Sequence, residues 1–91
     1  MARVFVKLKV MPESPDSDLN SIETKAKKEI IRFSGDVVGV EVEEVAFGLK
    51  ALIFIFSVDE AKGSTDKLEE TIKTIDEVIG AEVIDVRRAV G

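Results

Sequence analysis

The chain begins with a segment in which apolar and polar residues alternate, which is the period of a half-buried strand. In residues 3–10, one face carries only aliphatic side chains: Val4, Val6, Leu8 and Val10. The opposite face carries Lys7 and Lys9, with Phe5 as an aromatic exception. We therefore predict a first strand with one buried face and one open face.

Apolar residues spaced three and four apart then predict two helices. The first is expected to start near Ser14 and Pro15, because proline favours the first turn, and to close at Gly35. The second is expected to start after Ser64 or Thr65 and to stop at Gly80. The first apolar stripe is Leu19, Ile22, Ala26, Ile30 and Phe33, and the second is Leu68, Ile72, Ile75 and Ile79.

Two further strands are predicted between the helices. A short last strand, residues 81–88, is predicted after the second helix. Val38, Val40 and Val42 alternate with less apolar residues, which indicates a half-buried strand. Residues 49–58 are almost continuously apolar, which is typical of a central strand covered on both faces. Phe47 and Gly48 form the turn that separates these two strands.

The order strand, helix, strand, strand, helix, strand predicts an α+β fold of the ferredoxin-like β-α-β-β-α-β type. Right-handed crossovers place the first and third strands at the centre of a four-stranded antiparallel sheet, with both helices on one face. Since no repeat or linker interrupts the pattern, we expect residues 1–91 to form a single domain.

Composition removes several kinds of chemistry from consideration. The chain contains no cysteine and no histidine, so thiolate metal sites and the usual general base are absent. It also lacks a glycine-rich phosphate loop and a nucleophile beside a base, so we expect no enzyme, cofactor or metal site. The net charge of −5 opposes binding to nucleic acid. With no run of 18 apolar residues, we expect a cytoplasmic protein without membrane contact.

Other protein families with this strand order suggest alternative functions. Acylphosphatases need an arginine in the first loop, and residues 11–16 contain no basic residue. RNA-binding modules carry exposed aromatics on the two central strands, where Phe5 and either Phe54 or Phe56 could lie. Core packing is the favoured interpretation of Phe54 and Phe56. An RNA-binding or small-ligand-sensing module is therefore the alternative function.

Two features are unexplained by folding alone. Phe47 occupies a tight turn, where Asn, Asp or Gly is usual, and an exposed aromatic there suggests a contact with a partner. Arg87 and Arg88 end the last predicted strand and form a local positive tip in an acidic chain.

At these places the sequence resembles elongation factor 1-beta of the archaeal type. The resemblance rests on KVMPESPDSDL near the start, VAFGLKAL at the turn and EVIDVRR near the end, in that order. It implies a guanine-nucleotide exchange factor that promotes GDP release from the GTPase elongation factor 1-alpha during translation, acting through protein binding.

The resemblance also implies a set of partner-binding residues. In eukaryotic relatives, the Phe of the Phe-Gly turn touches the GTPase, and Phe47 matches it. The lysine that enters the magnesium region in those relatives would align with Gly91, leaving Arg87 and Arg88 as the nearby cations. The expected contacts with the GDP-bound GTPase are Ala46, Phe47, Gly48, Lys50, Arg87 and Arg88.

Overall fold

The computed structural model describes residues 2–62 and 64–88. The sheet has the order β2-β3-β1-β4, and each neighbouring pair is antiparallel. The predicted ferredoxin-like β-α-β-β-α-β fold is confirmed. Its elements are β1 (Arg3–Pro12), α1 (Leu19–Arg32), β2 (Asp36–Glu44), β3 (Lys50–Asp59), α2 (Asp66–Lys73) and β4 (Val78–Arg88).

The core lies between the two helices and one face of the sheet. Alternate side chains of the central strands β1 and β3 face the helices, as the period-two pattern predicts. Phe54 and Phe56 are both fully buried there, which confirms their interpretation as core residues. The other fully or nearly buried members include Val6, Leu8, Val10 and Leu52 from the strands and Ile22, Ala26, Ile30, Leu68 and Ile72 from the helices.

Two ion pairs cover β3 on the face without helices. The Nζ atom of Lys9 lies 3.7 Å from an oxygen of Glu43, across β3 from β1 to β2. Arg3 reaches across the same strand and donates to Asp36 at 2.9 Å. Because these long side chains lie over the strand, its open-face residues Ala51, Ile53 and Ser57 are buried as well.

The first helix begins later than predicted. Ser14 and Pro15 belong to a turn, in which the Ser14 hydroxyl accepts a hydrogen bond from the Asp16 backbone N–H. α1 begins at Leu19, and the side chain of Asp18 caps it by accepting from the Ser21 N–H at 3.1 Å. The carboxylate cap satisfies an N–H that the helix leaves unpaired, which explains why the helix starts there.

The second helix is shorter than its apolar stripe predicts. α2 ends at Lys73 rather than at Gly80, and Ile79 is 63% exposed on β4. The Val78 N–H donates to the Ile75 carbonyl, and Glu77 takes a left-handed φ of 70°, so the chain turns before strand pairing begins. Residues 78–80 therefore pair with β1, and β4 is longer than the predicted 81–88.

An irregularity in β2 changes which of its valines face the core. The register with β3 shifts between Val37 and Gly39, so Val37 and Val40 pack against the core. Val38, which the alternation assigned to the buried face, is 60% exposed. A single extra residue in one strand reverses the side-chain alternation beyond it, which explains the difference.

The turn between β2 and β3 holds a phenylalanine in an unfavourable backbone conformation. Phe47 has φ 61° and ψ 33°, and Gly48 has φ 77°. Two successive left-handed residues are the geometry of a tight hairpin turn that favours Asn-Gly. Left-handed backbone costs a residue with a side chain about 1–2 kcal/mol, and the Phe47 ring is 95% exposed, so packing within this chain does not offset that cost.

Phe47→Asn should therefore stabilise the protein. Asparagine tolerates the left-handed conformation, so we expect the free energy of unfolding in urea to rise by up to ~1 kcal/mol. Phe47→Ala is the matched control, because alanine keeps the backbone cost, and it should stay within ~0.5 kcal/mol of wild type. A loss of stability in both variants would show that the ring packs on its own domain.

Candidate functional site

The first candidate contact is the hairpin tip, which we define as Ala46, Phe47 and Gly48. The last pair of the β2–β3 ladder is Glu44 opposite Lys50. Beyond it, the Val45 N–H donates to the Leu49 carbonyl at 2.7 Å, and the Leu49 N–H donates back to Ala46 at 3.3 Å. These two hydrogen bonds close the turn and continue the strand pairing of the ladder. The backbone of the tip is therefore hydrogen-bonded, although its side chains are in solvent.

The structure brings together the four residues that the sequence predicts around this turn. Ala46, Phe47, Gly48 and Lys50 are all exposed. A Cβ atom built on Gly48 would meet nothing within 4 Å, so no other part of the described chain crowds that side of the turn. The turn therefore presents an exposed aromatic ring and an exposed lysine at one end of the sheet, where a partner protein could contact both.

The second candidate contact is the arginine end, which we define as Arg87 and Arg88. Arg88 lies opposite Val4 and Arg87 opposite Phe5, at the far end of β4. Gly91, which would align with the lysine of the eukaryotic relatives, lies outside the described residues.

Both arginines are paired with carboxylates, which corrects their interpretation as a local positive tip. The Arg87 Nε atom donates to Asp85 at 3.0 Å. Arg88 donates to both oxygens of Glu60, from Nε at 2.5 Å and from Nη2 at 2.8 Å. The charges at this end therefore largely compensate each other, and any recognition there depends on directed hydrogen bonds more than on net charge.

The two candidate contacts lie at opposite ends of the sheet. The hairpin tip extends beyond Lys50, whereas Arg88 is level with Val4 and, across β1, with Val58. Lys50 and Val58 are eight residues apart on β3, and at about 3.3 Å per residue they are separated by roughly 26 Å. A small ligand cannot touch both ends, so a binding partner that uses both must be macromolecular.

The open face of the sheet differs from the RNA-binding arrangement weighed above. Phe5 is 42% exposed there, but Phe54 and Phe56 point into the core. Lys9 is paired with Glu43, whereas the Asp85 carboxylate opposite Lys7 accepts a hydrogen bond from Arg87. Because Phe5 alone of the three phenylalanines is exposed on this face, a pair of stacking aromatics is not found among the residues described here. Neither described helix has the length and apolarity to cross a bilayer.

Sequence reasoning missed Glu60 as a member of the arginine end. Glu60 lies 28 residues from Arg88 along the chain. No local pattern signals such a contact, since it depends on the sheet order, which carries the end of β3 across β1 towards β4.

Solved structures share the fold. The ACT domain from GTP pyrophosphokinase of Chlorobium tepidum superposes with a TM-score of 0.59 at 12% identity, covering 88% of this chain and 96% of that one. The de novo designed protein Foldit4 superposes with a TM-score of 0.61 at 20% identity, covering 98% of both chains. At such identities the likeness concerns the fold alone.

Sequence comparisons are more specific. Elongation factor 1-beta of Staphylothermus marinus is 39% identical over 89 residues, covering 97% of this chain and 98% of that protein. Elongation factor 1-beta of Methanosarcina barkeri is 42% identical over 89 residues, covering 97% and 99%. Residues 5–89 match the family described as the EF-1 guanine nucleotide exchange domain. The chain therefore belongs to the EF-1 guanine nucleotide exchange domain family.

Proposed function

We propose that residues 1–91 act as one exchange domain that promotes GDP release from elongation factor 1-alpha in the cytoplasm during translation. The family and its archaeal relatives support this proposal. The chain binds the GDP-bound GTPase and makes or breaks no covalent bond. The chain itself binds no nucleotide or metal ion, and it contacts neither nucleic acid nor membrane.

The observation that carries the proposal is Phe47. A ring that is 95% exposed, on a residue held at φ 61°, lowers stability without any packing in return. Ser34 and Glu77 also have a left-handed φ, at 72° and 70°, but neither carries a large exposed apolar side chain. Aromatic residues also dominate the energetics of protein interfaces. We therefore assign Phe47 as the main contact with the GTPase, supported by Ala46, Gly48 and Lys50.

The shape of the domain supports a bridging mechanism. The sheet connects the hairpin tip to the arginine end through continuous backbone pairing along β3 and β1. When the tip binds one domain of the GTPase, the arginine end is held at a fixed distance, where it contacts the nucleotide domain. Arg87 and Arg88 then disturb the magnesium and phosphate site, which lowers the affinity for GDP.

Thermodynamic linkage sets the direction of the cycle. If the chain lowers the affinity of the GTPase for nucleotide, nucleotide lowers the affinity for the chain by the same factor. GTP, in cellular excess, then refills the vacated site and releases the exchange factor for another round.

The first expected outcome is faster release of a fluorescent GDP analogue from elongation factor 1-alpha. Acceleration should persist when the chain is substoichiometric, because a catalyst turns over. The chain alone should not bind GDP, GTP or RNA in calorimetry, which serves as the control. Unchanged release over a wide range of chain concentrations, with a GTPase of demonstrated activity, would contradict the proposal.

Phe47→Ala should weaken binding to the GTPase by roughly 2 kcal/mol or more, as aromatic hot spots do. The free energy of unfolding should change by only about 0.5 kcal/mol, because the ring is in solvent in the unbound domain. Ile31→Ala is the matched control, since Ile31 is also apolar and is 64% exposed, but lies on α1. Equal effects of the two variants on binding would refute the assignment of Phe47.

Replacing Arg87 and Arg88 together with Ala should slow GDP release. Because each arginine faces a carboxylate, the loss should come mainly from short-range hydrogen bonds, and raised salt should reproduce only part of it. Lys25→Ala with Lys28→Ala is the control, because it removes the same charge from the exposed surface of α1. If both double variants exchange at the same rate, the arginines have no specific role.

A further inference from the structure

Glu60 and Arg88 form the only two-point ion pair among the residues that the structure describes. The Arg88 Nε and Nη2 atoms donate to separate oxygens of the same carboxylate, at 2.5 and 2.8 Å. Such paired hydrogen bonds fix the plane of the guanidinium group, whereas a single contact leaves it able to rotate. The orientation of Arg88 is therefore set by Glu60.

Glu60 is itself held in place by backbone contacts. Its N–H donates to the Ala2 carbonyl at 3.0 Å, next to the start of β1. The preceding Asp59 accepts a hydrogen bond from the Ala61 N–H at 2.9 Å, which closes the short 3-10 turn of Glu60–Lys62. The carboxylate thus reaches from the end of β3, past β1, to the edge strand β4.

The pair leaves most of the hydrogen-bonding capacity of Arg88 available. A guanidinium group has five N–H donors, and Glu60 uses the edge formed by Nε and Nη2. Three N–H groups remain without an acceptor among the described residues, and two of them form the edge between Nη1 and Nη2; the Arg88 side chain is 66% exposed. That second edge matches two oxygens of a carboxylate or a phosphate group.

We infer that Glu60 is a positioning residue, which orients Arg88 so that its second guanidinium edge binds a carboxylate or phosphate at the nucleotide site of the GTPase. The inference rests on the proposed function and adds to it a residue that acts through Arg88. Glu60 need not be displaced when the partner binds, because the two acceptors use different edges. Holding Arg88 in advance reduces the side-chain entropy that is lost when the GTPase is engaged.

The test measures GDP release against the concentration of the chain, which separates the maximal rate from the half-saturating concentration. Glu60→Ala and Arg88→Ala should each lower the maximal rate by roughly tenfold, as expected when hydrogen bonds to a charged group are lost. The double variant should be no slower than Arg88→Ala, since both changes remove the same contact. The half-saturating concentration should stay near the wild-type value, because it depends mainly on Phe47.

Two further variants distinguish positioning from strand stabilisation. Asp36→Ala breaks another exposed ion pair at the same end of the sheet, with Arg3, and should leave the maximal rate unchanged. Exchanging the two residues, as Glu60→Arg with Arg88→Glu, allows the ion pair to re-form but moves the guanidinium away from β4, and should remain slow. Thermal melts of each variant check that the domain is folded.

Several results would overturn the inference. A faster rate in Glu60→Ala would show that Glu60 withholds Arg88 from the partner. Additive losses in the double variant would show that the two residues act independently, and a wild-type rate in the exchanged pair would show that the ion pair only holds β4. A wild-type rate in Glu60→Ala rejects the positioning role alone, whereas a wild-type chain that fails to accelerate GDP release rejects the proposed function and this inference together.

Discussion

The antiparallel pairing of β1 with β3 is the constraint on which the other features depend. Its register runs without interruption from Arg3 opposite Asp59 to Val10 opposite Leu52. Side chains alternate between the two faces, so a slip of one residue would move Phe54 and Phe56 from the core to the open face. The burial of those two rings therefore fixes the register. The same register sets how far the hairpin tip projects at one end and where Arg88 stands at the other.

In the β2–β3 hairpin, strand pairing maintains a backbone conformation at Phe47 that is locally strained. The ladder up to Glu44 opposite Lys50 and the bonds between Val45 and Leu49 keep the turn closed. Those contacts hold Phe47 in a backbone conformation that its own side chain disfavours. Since the ring contributes nothing to the core, its position is best understood through what it contacts outside this chain. Replacing Phe47 with Asn is thus expected to raise stability and to weaken binding.

Much of the fold could be predicted from the sequence, because the strongest signals are periodic. The alternation in β1, the continuous apolar run of β3 and the stripe of α1 each reflect burial that side-chain spacing encodes directly. One error occurred where an apolar residue fits two patterns. Ile79 continues the helical stripe of α2, yet it lies on β4. The chain turns at Glu77, and the residues after it pair with β1 instead of continuing the helix. The predicted face of Val38 is wrong, because the alternation of apolar and polar residues does not reveal a bulge.

The candidate site was predictable in part for the same reason. The Phe-Gly turn is a local signal that marks Phe47 in the sequence, whereas the 95% exposure of its ring is a property of the folded hairpin. The Glu60–Arg88 pair joins residues that only the sheet order brings together, and the compensation of charge at the arginine end was missed with it. Long-range polar contacts are set by the tertiary structure and produce no periodic pattern in the sequence.

The central claim is that the hairpin tip supplies affinity for the GTPase while the opposite end of the sheet acts on the nucleotide. The most direct test is the rate of GDP release measured against the concentration of the Phe47→Asn variant. The account predicts a clear rise in the half-saturating concentration, with a maximal rate at saturation equal to that of wild type. A maximal rate that falls while the half-saturating concentration stays unchanged would contradict it.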